Sequence, residues 1–137
     1  MSVEQVKSFV DVSAKGAEQF VELYYRLYDN QRGLVNKFYR DDSAILWNGN
    51  AYSGVTPFSD FLVKLPSTSH EVNTFDCHPI ISSINAQGTS SIVVIVNGSV
   101  KYGDEQRPRL FSQTFILSPI PEKPGNYYVS SDCFRFV

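Results

Sequence analysis

Two side chains suited to acid–base chemistry stand two positions apart near the middle of the chain. Asp76 and His78 fall in a segment rich in β-forming residues, and a strand would carry both on one face. A carboxylate and an imidazole held together are groups that enzymes use as general acid and base. The same alternation predicts that His70, Val72 and Thr74 lie on that face as well.

A structural interpretation of this pair competes with the enzymatic one. Asp76 stands shortly before a proline, where a carboxylate more often caps a bend. Ser131 and Asp132 have no histidine near them in the sequence, so no nucleophilic triad can be argued from them. Cys77 and Cys133 are too few and too isolated for a metal framework, and we interpret them as small buried hydrophobic residues. We therefore expect no catalytic residue, no metal and no cofactor.

Composition limits the classes of partner. The chain has 137 residues, of which 42% are hydrophobic and 19% charged, and this predicts one folded domain over residues 1–137. The formal net charge of −2 disfavours direct binding of nucleic acid, because such binding relies on neutralising phosphates. No apolar run approaches the ~20 residues needed to span a bilayer. The first ten residues lack the basic and apolar regions of a signal peptide, which predicts an intracellular protein.

Helical patterns dominate the first half of the chain. Apolar residues recur every three or four positions over residues 3–28, which predicts a long amphipathic helix. Asp29-Asn30 is expected to end this helix and to cap a short second one. Residues 43–47 form a predicted strand, and Asn48-Gly49 the tight turn of a hairpin, since both residues tolerate positive φ. Thr56-Pro57 is typical of a helix start and predicts a third helix.

The second half of the chain is rich in Val, Ile, Phe, Tyr and Thr. Four strands are predicted, near residues 69–81, 91–102, 109–118 and 127–136. Loops with Gly, Pro, Asn and Asp separate them. Helices at the front and strands at the back indicate an α+β fold, with one sheet and the helices on one of its faces.

Two of these strands are apolar on both faces. A sheet with one face in water should alternate apolar and polar residues, and residues 92–96 (Ile-Val-Val-Ile-Val) do not. Alternation through the last strand assigns Tyr128, Phe134 and Phe136 to one face and Tyr127, Val129 and Cys133 to the other. Because the helices can cover only one face, we expect a second sheet, from another subunit, to cover the other.

A series of short motifs spans nearly the whole chain. They are Phe20–Tyr25, Tyr28–Arg32, Phe38-Tyr39, Trp47–Asn50, Leu65-Pro66, Asp76–Pro79, Val96–Val100 and Ser131–Phe136. Each is weak alone, but their order and spacing resemble the nuclear transport factor 2 family from about residue 9 to the last residue. The resemblance implies a cone, in which a curved antiparallel sheet carries three helices on one face.

Two departures favour the export-related branch of that family. Asn48 replaces the acidic residue with which the transport factor docks GDP-bound Ran, and Ser13 replaces its helix tryptophan that helps to bind nucleoporin repeats. The resemblance therefore implies the small subunit of the heterodimeric mRNA export receptor, shuttling between nucleus and cytoplasm through the nuclear pore. Its partner would be the large subunit, a nuclear RNA export factor, which would contact RNA and nucleoporin repeats. The alternatives are a homodimeric Ran-GDP import carrier and a small-molecule enzyme that uses Asp76 and His78.

Five residues are the candidate partner interface. Arg135 lies between two phenylalanines, and alternation assigns it with Cys133 and Val129 to the outer sheet face. Ile95 and Val93 belong to the unalternating strand and are assigned to the same face. The resemblance implies that Arg135 pairs with an acidic residue of the large subunit. The alternatives are a simply solvated Arg135 and an Ile95 in the ordinary core.

Overall fold

A six-stranded sheet and a layer of helices on one of its faces make up the fold. The computed structural model describes residues 1–137. No helix in it is long and apolar enough to cross a membrane. In chain order the elements are α1 (Val3–Asn30), a 3₁₀ helix (Arg32–Phe38), β1 (Tyr39–Trp47), β2 (Asn50–Ser53), α2 (Val55–Leu62), β3 (Thr68–Ile80), a short 3₁₀ turn (Ile81–Ser83), β4 (Ser91–Tyr102), β5 (Arg109–Pro119) and β6 (Tyr127–Phe136).

The strand order in the sheet is β2-β1-β6-β5-β4-β3. All neighbours run antiparallel except β1 and β6, which are parallel. The predicted α+β class, with three helices on one face of a curved sheet, is confirmed, as are the four long strands of the second half. The sheet is mixed because the β1–β2 hairpin joins it beside the last strand of the chain. We call the face turned away from the helices the outer face.

Helix α1 begins at a capping box and buries one stripe against the sheet. Ser2 Oγ accepts a hydrogen bond from Gln5 N at 3.1 Å, and Ser2 N donates to Gln5 Oε1 at 2.8 Å. These bonds satisfy N–H groups that a helix start leaves free. The predicted helix is confirmed and runs to Asn30. Its buried side chains recur at helical spacing: Ser13, Ala17, Val21, Tyr24, Tyr25 and Tyr28.

A polar clamp fastens the end of α1 to β3. Asp29 accepts hydrogen bonds from Thr68 Oγ1 at 2.8 Å and from His70 N at 2.8 Å, and its Oδ1 lies 2.6 Å from His70 Nδ1. Burial alone would raise the pKa of Asp29, but the hydrogen bonds from His70 and Thr68 outweigh burial and lower the pKa. Arg32 donates to the Leu65 carbonyl at 2.8 Å and to Thr68 Oγ1 at 3.0 Å. Asp29 thus joins helix to sheet instead of capping the 3₁₀ helix.

The hairpin turn between β1 and β2 is confirmed. Asn48 has φ 45° and Gly49 has φ 88°, the left-handed geometry that this two-residue turn requires. The predicted start of α2 is wrong by a few positions, because Gly54 is the N-cap and the helix begins at Val55. Thr56-Pro57 therefore lies within the first turn. Proline is tolerated there because N–H groups of the first turn have no partner inside the helix, so the missing N–H breaks no hydrogen bond.

An extra residue in β3 reverses the alternation partway along that strand. Val72 pairs with Gly98 and Thr74 pairs with Asn97, so Asn73 has no partner in β4. Side chains on the two sides of such a bulge no longer follow one alternation. Beside the bulge, β3 lies so close to Gly98 of β4 that an added Cβ would clash with the Glu71 carbonyl oxygen.

A second bulge lies in β6. Ser130 is an extra residue between the positions that pair with Ile116 and Leu117 of β5. Val129 consequently points into the core and is 0% exposed, and Tyr127 also packs against the core. The prediction that Val129 lies on the outer face is wrong, because simple alternation does not carry across a bulge.

Gly98→Ala should destabilise the protein by about 1–3 kcal/mol, the usual cost of overpacking. A Cβ at this position would lie 2.2 Å from the Glu71 carbonyl oxygen, so the backbone of β3 would have to move. Gly33→Ala is the matched control, because its added Cβ would meet no atom within 4 Å. Urea unfolding of both variants measures the difference, and equal losses of stability would contradict the close approach of β3 and β4.

Candidate functional site

The interior of the cone contains a connected set of polar side chains. Asp132 Oδ2 accepts a hydrogen bond from the Tyr39 hydroxyl at 2.6 Å, and Asp132 Oδ1 accepts one from Gln113 Nε2 at 2.8 Å. Gln113 Oε1 in turn accepts from the Tyr25 hydroxyl at 2.6 Å. The hydroxyls of Tyr24 and Tyr39 lie 2.7 Å apart. All five residues are buried, so the network satisfies its own hydrogen bonds without solvent.

Burial dominates the electrostatics of this network. It raises the pKa of Asp132 to about 6, although the hydrogen bonds from Gln113 and Tyr39 act in the opposite direction. Burial also raises the pKa values of Tyr24, Tyr25 and Tyr39, and the nearby Asp132 adds to that effect. The phenols therefore stay neutral and act as hydrogen-bond donors.

Sequence reasoning missed this network as a unit. The sequence suggests for Asp132 only a comparison with catalytic triads, because its partners lie 19 and 93 positions away in the chain. One local signal was available. Asp132 lies two residues before Phe134, so both side chains point inward from β6. Because a buried carboxylate is costly without a hydrogen-bond donor, its position indicates a buried partner. The identity of that partner depends on tertiary structure.

The predicted acid–base pair does not reach the interior. Asp76 and His78 are exposed on the outer face, and His78 Nδ1 lies 2.7 Å from the Pro79 carbonyl oxygen. His70 and Val72 lie on the opposite side of the sheet, since the bulge separates them from Asp76 and His78. The prediction that all five residues share one face is therefore wrong for His70 and Val72, whereas Thr74, Asp76 and His78 lie together on the outer face.

Aromatic rings fill the end of the cone beneath α2. Trp47 stacks on Phe134 with ring centroids 5.3 Å apart and an interplanar angle of 2°. Phe61 and Phe136 close around the same indole, with centroids 5.0 Å and 5.6 Å away. Each ring removes a large apolar area from water, so this region stabilises the fold. A substrate has no route through it to Asp132, which is 2% exposed.

The outer face has an apolar centre. Strand register places Asp76, Ile95, Thr114, Cys133 and Leu46 in one row across five strands. Ile95 and Leu46 are each 40% exposed, and Cys133 is exposed as well, so the interpretation of this cysteine as a buried residue is wrong. Exposed aliphatic side chains aligned across a sheet are typical of a surface that another protein covers.

Arg135 stands in the next row of that face. Register aligns it with Ser112 and Asn97, and its guanidinium makes no ion pair or hydrogen bond within the chain. Val93 lies on the other side of Ile95 along β4 and is half-buried. The structure thus brings Arg135, Cys133, Ile95 and Val93 together on the outer face and leaves only Val129, of the five predicted residues, in the core.

Comparison with known proteins identifies the family. The family model of the nuclear transport factor 2 (NTF2) domain matches residues 16–136 of the sequence. The chain belongs to the nuclear transport factor 2 family. The family and the fold predicted from the motifs are therefore confirmed.

Relatives of this chain include NTF2-related export proteins and nuclear transport factor 2 proteins. Human NTF2-related export protein 2 is 36% identical over 95% of this chain and 91% of its own length. Nuclear transport factor 2 of Oryza sativa subsp. japonica is 36% identical over 87% of this chain and 92% of its own length. Among solved structures, a chain of the Candida albicans Mtr2–Mex67 M domain complex shares the fold, with a TM-score of 0.73 and 15% identity over 90% of this chain and 94% of that chain.

Asp132→Asn should change how stability depends on pH. The pKa of Asp132 rises from 3.8 to about 6 on folding. This group therefore favours the folded state fully below pH 3.8, and that contribution is lost as pH rises through 6. Since one pKa unit corresponds to 1.36 kcal/mol, the free energy of unfolding of the variant should gain about 3 kcal/mol on the wild type between pH 3.5 and pH 7.

Denaturant unfolding of both proteins across that range measures the gain. Glu4→Gln is the control, because Glu4 is an exposed carboxylate in the first turn of α1. A constant difference between Asp132→Asn and wild type at all pH values would contradict the buried position of this carboxylate.

Proposed function

We propose that this chain is a non-catalytic subunit that pairs, sheet against sheet, with the NTF2-like domain of a nuclear RNA export factor. In this way it supports export of mRNA through the nuclear pore. The observation that carries the proposal is the outer face, where Ile95, Cys133 and Leu46 are exposed in one row and no helix covers them. Burial of these side chains against a second sheet would provide the free energy of association.

Similarity to known transport proteins supports the kind of partner. The chain resembles human NTF2-related export protein 2 over 95% of its residues. Mtr2, a protein of the same fold, is found in a complex with the Mex67 M domain. In the proposed complex, this chain would be the small subunit and the export factor the large one.

Arg135 supports a partner that is a different protein and that has an acidic side chain opposite this arginine. A guanidinium without an internal ion pair loses water when the outer face is covered, and this is costly unless a carboxylate meets it. No carboxylate of this chain stands in the row of Arg135, where register aligns it with Ser112, Asn97 and Thr74. A different subunit can place a carboxylate over the centre of the face.

The proposal includes location and further contacts. The subunit would shuttle between nucleus and cytoplasm and act at the nuclear pore with its partner. Contacts with nucleoporin repeats would come through that partner. RNA would also be bound by the partner, since the net charge of −2 equips this chain poorly for phosphate.

A homodimeric carrier for GDP-bound Ran is the second candidate, and the similarity to rice nuclear transport factor 2 favours it. Asn48 argues against it. This neutral residue occupies the hairpin turn, where its Oδ1 accepts a hydrogen bond from Phe136 N at 3.3 Å. An enzyme using Asp76 and His78 is the weaker alternative, since both residues lie on the outer face.

Mass in solution tests the proposed pairing. The chain mixed with the NTF2-like domain of a nuclear RNA export factor should sediment as a one-to-one complex at micromolar concentration. GDP-bound Ran should leave its sedimentation unchanged. A chain that stays separate from the export-factor domain, or that binds Ran instead, would contradict the proposal.

Arg135→Glu should weaken the complex by about 2–5 kcal/mol, because the variant places two carboxylates against each other in a desolvated interface. Arg107→Glu makes the same change of charge in the exposed loop between β4 and β5 and should leave affinity nearly unchanged. Isothermal titration calorimetry measures both. Equal affinities of the two variants for the export-factor domain would show that Arg135 is not part of the interface.

A further inference from the structure

A cleft of 520 Å³ opens on the helical side of the sheet, away from the outer face. Its walls are α1 on one side, the ends of β4, β5 and β6 at the base, and the loop before β6 on the other. The volume is in the range of small-molecule sites. The base and walls are apolar, with Phe20, Leu23, Phe38, Ile92, Leu117 and Val129 among the lining residues.

A glycine in the middle of α1 keeps this cleft open. Gly16 lines it, although glycine is, after proline, the least favourable residue inside a helix. Close packing does not explain this residue, because a Cβ at position 16 would meet no atom within 4 Å. Its φ is also outside the left-handed region that favours glycine. The missing side chain therefore has one structural effect, which is the space it leaves in the cleft.

The polar residues of the cleft carry a single charge. Lys15, Gln19 and Asn126 lie among its lining residues, and Lys15 is the only charged one. No acidic side chain lines the cleft, and Lys15 forms no ion pair within the chain. The ammonium and the two amides can all donate hydrogen bonds, which suits an anionic head group.

We propose that this cleft binds a small amphiphilic anion, with an aliphatic body against the apolar base and a carboxylate near Lys15. The site lies on the opposite side of the sheet from the proposed partner interface. Binding should therefore be the same for the free chain and for the complex with the export-factor domain. This separation also makes failure of one proposal distinguishable from failure of the other.

Calorimetric titration with decanoate tests the site, with decyltrimethylammonium as a cationic ligand of the same chain length. Decanoate should bind once per chain, and the cation about tenfold more weakly or not at all. Lys15→Gln should weaken decanoate binding by roughly two- to fivefold, as expected for one exposed charge. Lys7→Gln removes an exposed charge two turns earlier on α1 and should have no effect.

Gly16→Leu tests the location, because its side chain would fill the cleft and should reduce decanoate affinity by about tenfold or more. Gly16→Ala fills far less space and keeps the ligand, while it raises the melting temperature through better helix propensity. Circular dichroism verifies that both variants are folded. Three results would each overturn the proposal. They are unchanged decanoate binding by Gly16→Leu, equal affinity for the anion and the cation, and no binding of decanoate at millimolar concentration.

Discussion

A sheet has two faces, and in this fold the helices cover only one of them. The inner face is covered by α1, whose Tyr24 and Tyr25 connect to the buried Asp132 through Tyr39 and Gln113, and by the rings around Trp47. The outer face keeps Ile95, Cys133 and Leu46 in contact with water. Because exposed apolar surface is unfavourable, this face is suited to being covered by another protein. The proposed pairing with a second NTF2-like domain follows from this constraint.

The interior explains why the cone need not be an enzyme, although the same fold carries many functions. Catalysis requires acid–base groups that a substrate can reach. Here the acidic group with a raised pKa, Asp132, is enclosed by its own hydrogen-bond donors, and the accessible pair, Asp76 and His78, lies on the outer face of the sheet. The buried network has a structural consequence instead. It ties α1, β1, β5 and β6 together through directional bonds, which limits how the aromatic core can pack.

Local patterns were sufficient to predict most of the fold. The helical period fixed α1, the Asn48-Gly49 pair fixed the hairpin turn, and β-forming composition fixed the four long strands. The same patterns failed wherever one residue was added to a strand. The bulges at Asn73 and Ser130 leave no signature in composition. Each one shifts the alternation by one residue, so a pattern extended across it assigns side chains to the wrong face. This is why Val129 was misassigned, whereas Cys133 and Arg135, beyond the bulge, were placed on the correct face. The parallel pairing of β1 with β6 and the partners of Asp132 depend on contacts distant in sequence and could not be read locally.

Reactivity of the two cysteines offers the most direct measurement of which face the partner covers. Cys133 is exposed at the centre of the outer face, and Cys77 packs partly against the core from β3. A thiol reagent should label Cys133 rapidly in the free chain and much more slowly once the export-factor domain is bound, while the labelling of Cys77 changes little. If the complex forms and Cys133 is labelled as rapidly as in the free chain, the partner lies elsewhere and the central claim is wrong.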